Sequence, residues 1–191
     1  MTDEPDPERA RDAALLAAYA AGDARAARSL VETHAPRALA VARRMLGSAA
    51  EAEEVAQEAM LRLWRIAPEW RAGEARISTW LYRVVANLCT DRLRRARTVP
   101  LPEGHDPPDE RPGAVAGLIE GQRAAALARA LADLPERQRL AVTLRHLEER
   151  PNPEIAAIMG LSVDAVESLQ ARGRKRLRAL LAGTELNYHE G

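Results

Sequence analysis

The apolar positions in the first half of the chain fall into consecutive helical segments. Ala13 to Ala21 is apolar and stops at Gly22. Asp23 can cap a second helix carrying Ala27, Leu30 and Val31. Pro36 sits where the first turn of a helix tolerates proline, and Leu39, Val41, Met45 and Leu46 follow it up to Gly47. Ser48 and Glu51 have the spacing of a capping box and open a helix through about Ile66. A loop from Ala67 to Ile77 contains Pro68, Trp70 and Gly73. Ser78 then caps a helix to about Arg97. From Thr98 to Gly113 five prolines stand among acidic residues and glycines, a pattern that predicts a flexible linker. Helical periodicity returns over roughly Ala114 to Ala132, from Pro135 to near Glu149, from Asn152 to Gly160, and from Ser162 to about Leu181, with fraying from Gly183. Asn152 and Pro153 read as N-cap and first helical residue of the third of these.

Composition strengthens the helical reading. Apolar residues make up 47% of the chain but aromatics only 3%, and phenylalanine is absent. Ala, Leu, Arg and Glu favour helices, while the β-branched and aromatic residues that favour strands are scarce. The expected fold class is all-α: two small helical domains joined by the proline-rich acidic linker, the second containing a helix-turn-helix. The expected boundaries are residues 1–97, a linker over 98–113, a second domain over 114–183 and a tail over 184–191.

Net charge is zero, which disfavours a nucleic-acid binder only where charge is evenly spread. Here acidic and basic residues form separate blocks, and Lys175 is the only lysine. A GC-rich genome explains the arginine bias at least as well as phosphate binding does. Cys89 stands alone, so neither an intrachain disulfide nor a cysteine zinc site is expected. The histidines, His34, His105, His146 and His189, lack metal-ligand spacing. No metal and no cofactor are expected. The polar, acidic first eleven residues have no signal-peptide core, and no apolar run of about 18 residues occurs. A cytoplasmic protein without membrane insertion is the expectation.

The stretch from Asn152 to Ala171 carries the most information. A helix-turn-helix needs a small residue where its helices touch, and Ala156 supplies one. It needs a residue tolerant of positive φ in the turn, and Gly160 supplies that. Ile155, Met159, Leu161, Val163, Val166 and Leu169 fit its buried positions. An ordinary helical hairpin is the plainer alternative. The second helix continues into Arg172, Arg174, Lys175, Arg176 and Arg178, a run that suits phosphate neutralisation, although it also suits a solvated helix end.

Two first-half helices have patterned polar faces. On the helix opened by Ser48, Ala52, Val55, Ala59 and Leu63 form the core stripe. Glu54, Gln57, Glu58 and Leu61 share the opposite face, where an apolar residue in an acidic stripe suits a partner-binding surface. Spacing alone favours a solvated face with a stray leucine. On the next helix Leu81, Val85 and Leu88 point one way and Arg83, Asn87, Thr90 and Arg94 the other. Arg and Asn are well suited to base edges, and a solubilising face is an equal alternative from spacing. Trp64, Trp70, Trp80 and Tyr82 cluster around the loop. Trp64 and Trp80 are expected to be structural, while Trp70 is open between core packing and stacking on an unpaired base.

Taken together these residues resemble the extracytoplasmic-function class of sigma factors, the compact branch of the housekeeping sigma family. Ala50 to Trp64 resembles that family's polymerase-binding helix, and Ser78 to Arg95 its −10 recognition helix. Leu134 to Arg139 with the helix-turn-helix resembles its −35 domain. The likeness covers about residues 12 to 182, in order. It implies a non-enzymatic transcription initiation factor whose partners are core RNA polymerase, promoter DNA and an anti-sigma factor. Glu54, Gln57, Glu58 and Leu61 would dock on a coiled coil of the largest polymerase subunit. The loop from Ala67 to Ile77, with Trp70, would hold a flipped −10 base. Arg83, Asn87 and Arg94 would contact the −10 region; Ser168, Arg172 and Lys175 would lie on the −35 element. The chain departs from the family's pattern at Glu167 and Leu169, where relatives usually carry basic residues facing DNA.

Three rival functions have distinct signatures. An operator-binding dimer would bind specific duplex tightly without polymerase. An enzyme needs a site, and no Ser/His/Asp order, glycine-rich phosphate loop or metal-ligand set is present. Glu53, Glu54 and Glu58 imitate a metal cluster, but helical spacing splits their directions. A pure protein adaptor leaves the helix-turn-helix and the arginine stripes unexplained.

Overall fold

The computed structural model describes residues 6–71, 76–98 and 115–186. Within them are eight α-helices and no strand. Residues 99–113 of the expected linker and the last five residues of the tail lie outside the described residues, while Thr98, expected to open the linker, is the last residue of a helix.

Helix α1 (Pro7–Ala20) starts on the carboxylate of Asp6, which accepts from the Glu8 amide at 3.2 Å. Its Leu16 is buried, and its Asp12 carboxylate lies 3.0 Å from the Nε2 of buried His34. Gly22, at φ 98°, reverses the chain, and Asp23 caps α2 (Ala24–Leu46) through the Arg25 amide at 2.8 Å. Pro36 was expected to open a helix, but α2 runs through it without a break. An interior proline removes one hydrogen bond and costs about 3 kcal/mol. The buried stripe of Leu30, His34, Ala38, Val41, Ala42 and Met45 crosses it on one face and outweighs that cost. Pro36 and Glu32, whose carbonyl loses its partner, are both exposed, so water can satisfy the group.

Helix α3 (Ala49–Ile66) opens as expected, with Ser48 Oγ accepting from the Glu51 amide at 3.3 Å. Ala52, Val55, Ala59 and Leu63 are all fully buried, as the periodicity predicts. A short 3-10 turn over Ala67–Glu69 leads to Trp70. Helix α4 (Ile77–Thr98) begins one residue before Ser78, which is itself buried rather than a cap. Burial of Ile77 draws the helix start forward: the Trp80 amide donates to the Arg76 carbonyl at 3.1 Å.

The second half comprises α5 (Val115–Ala132), α6 (Glu136–Val142), α7 (Asn152–Met159) and α8 (Val163–Leu186). Helix α6 does not continue regularly to Glu149. It widens into a π-helical turn over Thr143–Leu147, closed by the Glu148 amide on the Thr143 carbonyl at 3.1 Å. Pro151, not Asn152, precedes the first helical residue of α7. Helix α8 runs five residues beyond Leu181, past the expected domain end at 183.

One apolar core runs through α1 to α4 and continues without interruption into Leu140, Leu144, Ile155, Ile158 and Val166 of the second half. A smaller cluster of Leu131, Leu134 and Val142, with Leu127, Leu147 and Leu177 against it, holds α5, α6 and α8 together. Arg139 is buried and donates to three carbonyls: Ala132 at the end of α5, Leu134 at 3.2 Å, and Met45 at the end of α2. Helices α6 and α8 pack tightly at Gly173, where a Cβ would lie 2.7 Å from Val142 Cγ2 and 3.3 Å from the Gln138 carbonyl. Gly173→Ala therefore trades about 1 kcal/mol of helix propensity for an overpacking cost of about 1–3 kcal/mol. A lower urea midpoint, with a net loss near 1 kcal/mol, is expected; a gain in stability would show that the helices separate freely.

Cys89 is fully buried, and burial, only partly relieved by Arg92, pushes its thiol pKa up to about 12. From an ordinary value of 9.0 that shift lowers the thiolate fraction near pH 8 by roughly 1000-fold. Iodoacetamide should therefore leave Cys89 unmodified in the native protein and alkylate it readily in urea.

Candidate nucleic-acid and partner interfaces

The outward face of α3 is built as the heptad-like spacing predicts. Glu54 and Gln57 are exposed, Glu58 is half-buried, and Leu61 is 41% exposed beside them. The acidic members are tethered. Glu54 accepts from Arg92 of α4 at 3.0 Å, and Glu58 from Arg62 at 2.9 Å, with Arg65 at 3.9 Å. The Arg62 guanidinium holds the Glu58 carboxyl below the usual carboxylate range. Glu53 pairs separately with Arg43 at 3.3 Å. The three carboxylates thus share no arginine partner, and among the described residues no acidic, histidine or cysteine cluster suits a metal ion. Gln57 and Leu61 form the accessible polar and apolar centre of this face.

Helix α4 presents Arg83, Asn87 and Arg94 to the exterior and buries Leu81, Val85 and Cys89, with Leu88 half-buried. Trp70 sits half-buried at the start of the loop, edge-on to Trp80 with ring centroids 6.1 Å apart. Trp64 packs on Tyr19 at 4.5 Å. Tyr82 does not join this cluster. It is buried on another side of α4, where its hydroxyl donates to Glu148 of the second half at 3.0 Å. Its position two residues after Trp80 places it about 200° round the helix, a separation that proximity in sequence conceals.

The helix-turn-helix forms as read. Gly160 adopts φ 63°, the Leu161 amide donates to the Ala156 carbonyl at 3.0 Å, and Ser162 Oγ caps α8 through the Ala165 amide at 3.2 Å. Ala156 is buried where the helices meet. Of the positions expected to be buried, Ile155 and Val166 are, Met159, Leu161 and Leu169 are half-buried, and Val163 is 36% exposed; Ile158, absent from the expected core, is buried. Ser168, Arg172 and Lys175 are exposed at i, i+4 and i+7 on one face of α8, the Arg172 Nε donating to the Ser168 carbonyl at 3.3 Å. Of the two departures, Leu169 turns half-inward and leaves the outer face, whereas Glu167 stays exposed. Its carboxylate accepts from Asn152 Nδ2 at 3.0 Å, and Asn152 Oδ1 accepts from buried Gln170 Nε2 at 3.0 Å. That relay fixes the direction of Glu167 on the outer face of α8.

Sequence reasoning did not anticipate that the two halves close on each other. Arg44 of α2 pairs with Glu148, Thr79 of α4 donates to Glu154 at 2.9 Å, and the Arg83 guanidinium donates to the Ala157 carbonyl of α7. Thus Arg83, exposed on α4, already has a protein partner.

Comparison with known proteins matches the helices in the same order. Residues 30–99 match the family model of Sigma-70 region 2, and residues 124–177 that of Sigma-70, region 4. The ECF RNA polymerase sigma factor SigM of Mycobacterium tuberculosis (strain H37Rv) is 37% identical over 173 residues, covering 89% of this chain and 84% of that protein. The ECF RNA polymerase sigma factor SigW of Bacillus subtilis (strain 168) is 28% identical over 178 residues, 84% of this chain and 91% of that one. Among solved structures, CnrH in complex with the cytosolic domain of CnrY aligns with TM-score 0.66 at 30% identity, over 91% of this chain and 98% of that one. The sigma factor RpoE in complex with the anti-sigma factor NepR from Bartonella quintana aligns with TM-score 0.63 at 20% identity, over 81% and 96%, and shares the fold.

Proposed function

Because the chain belongs to the extracytoplasmic-function class of RNA polymerase sigma factors, we propose that it recruits core RNA polymerase through α3 and places it on promoters read by α4 and α8. It directs initiation and carries out no chemistry of its own. Gln57 and Leu61, flanked by Glu54 and Glu58, dock on a helical element of the polymerase. Arg83, Asn87 and Arg94, with Trp70 beside a flipped base, engage the −10 region. Ser168, Arg172 and Lys175 engage the −35 region. Residues 1–97 act as the polymerase and −10 unit and 114–183 as the −35 unit. A place as a compact branch of the housekeeping sigma family is part of the same proposal. Its site of action is the cytoplasm, and no helix among the described residues is long and apolar enough to cross a membrane. Regulation by an anti-sigma factor fits the two solved relatives, one captured with an anti-sigma factor and the other with a cytosolic partner domain.

The observation that carries this reading is a partner face on α3 and a basic reading face on α8 in one chain, each accessible. In vitro transcription tests it: purified protein and core polymerase on promoter fragments from the source genome. New start sites that require the protein support the reading. If none appear and core polymerase is not bound, the chain is instead an operator-binding regulator.

A further inference from the structure

We propose that Glu167 is a base-reading residue: Asn152 and Gln170 hold its carboxylate outward, where it selects a cytosine in the −35 element. This rests on the assignment of α8 to the −35 region.

The fold sets the position. In a helix-turn-helix the second helix enters the major groove, and residues near its N-terminus meet the base edges. Glu167 is the fifth residue of α8 and is exposed. Arg172 and Lys175 lie further along the same helix, exposed, and suit the phosphates that flank the groove.

A freely moving carboxylate at this place would only repel phosphate. Glu167 is not left to move freely. Its Oε1 accepts from Asn152 Nδ2 at 3.0 Å, and Asn152 Oδ1 accepts from Gln170 Nε2 at 3.0 Å. Gln170 is 4% exposed and Asn152 is half-buried, so the relay runs from the interior to the surface. It also fixes its own polarity. With Asn152 Oδ1 engaged by Gln170, the Nδ2 is the end that faces Glu167. The relay passes from α8 to α7 and back, which ties the carboxylate to the rigid part of the motif. Glu54 and Glu58 are neutralised by arginines, whereas Glu167 is held by a neutral amide. Among the described residues its Oε2 has no partner, so one oxygen and the full charge remain available.

A carboxylate accepts hydrogen bonds and cannot donate them, so it reads an amino group. In the major groove these are N4 of cytosine and N6 of adenine. Adenine sets the acceptor N7 beside its amino group, which repels a carboxylate; cytosine presents its amino group alone. Guanine and thymine turn acceptors to that edge and are rejected.

The test is transcription by the full chain with core polymerase on a protein-dependent promoter, with each −35 position replaced in turn by all four bases. One position is expected at which cytosine outperforms the other bases by about tenfold. Glu167→Gln can still accept from Asn152 but turns an NH2 outward. It is expected to lose the cytosine preference there and to favour guanine, whose O6 and N7 accept. Glu167→Ala is expected to abolish preference at that position and leave the other positions unchanged. Asn152 is a positioning residue: Asn152→Ala releases the carboxylate and is expected to cut the cytosine preference several-fold at that position alone. If circular dichroism shows that Asn152→Ala loses helix, the two variants of exposed Glu167 carry the test. Lys175→Ala is the contrast, expected to lower every template alike. Cytosine preference retained in both Glu167 variants overturns the proposal. So does an equal loss on every template, the signature of a mere brace between α7 and α8. Failure of the sigma-factor reading shows separately, as no protein-dependent transcript from the parent on any template, and takes the proposal with it.

Discussion

Replacing Gln57 and Leu61 together with alanine is expected to remove protein-dependent transcription while leaving the fold intact. Interface energy concentrates in a few central residues worth 2 kcal/mol or more each, so even one such loss lowers polymerase occupancy roughly 30-fold at limiting protein. Leu61 is the apolar centre of an otherwise acidic face, and Gln57 stands one turn before it with no charge to screen. Neither supports the core. Ala52, Val55, Ala59 and Leu63 do that from the other side of α3. Exposed substitutions of this kind change stability by about 0.5 kcal/mol or less. The discriminating result is the combination: an unchanged melting curve and transcripts reduced at least tenfold. Full transcription from the double variant would move the polymerase contact off this face.

Arg139→Ala is expected to have the largest effect on stability, about 3–5 kcal/mol in urea unfolding. The side chain does the work of a C-terminal cap for two helices at once. The Met45 and Ala132 carbonyls belong to the last turns of α2 and α5, which have no intrahelical partners and carry partial negative charge. One buried guanidinium fork satisfies both, with the Leu134 carbonyl as a third acceptor. Burial lowers the Arg139 pKa, a sign of the desolvation that these three bonds offset. Alanine leaves three carbonyls short and a void. Lysine, a single point donor, is expected to recover only part of the loss, since it cannot reach three acceptors in a plane. Equal stability of the alanine variant would show that water enters and replaces the fork.

What the sequence revealed follows the range of the interactions that set each element. The helix-turn-helix was legible because Ala156, Gly160 and Ser162 act within a single turn of themselves. The α3 core stripe was legible because its burial is one-sided and periodic. Pro36 and Ser78 were misread for the same reason in reverse: each obeys a local rule that a buried stripe overrides, Leu30 to Met45 in one case and Ile77 in the other. That Ile158 is buried and Val163 exposed depends on what α7 and α8 pack against, which no pattern in either helix specifies. The clasp of Glu148 with Arg44 and Tyr82 was out of reach, since its members lie 104 and 66 positions apart. The candidate residues on α3, α4 and α8 were legible as faces; that Arg83 and Glu167 already have protein partners was not.

The widened turn at Thr143–Leu147 has an evolutionary consequence. It holds one residue more per turn than a regular helix, and Glu148 follows it directly. Five residues of a π-helical turn sweep about the angle that four sweep in an α-helix, so deleting one residue there would restore an α-helical turn and leave Glu148 in nearly the same register. Loss of a residue from a regular helix instead turns everything after it by about 100°, with a rise of about 1.5 Å. Lineages can therefore change length at this turn without moving Glu148 away from Arg44 and Tyr82. Among descendants of this chain, one-residue indels should accordingly be tolerated better at Thr143–Leu147 than within α3 or α8.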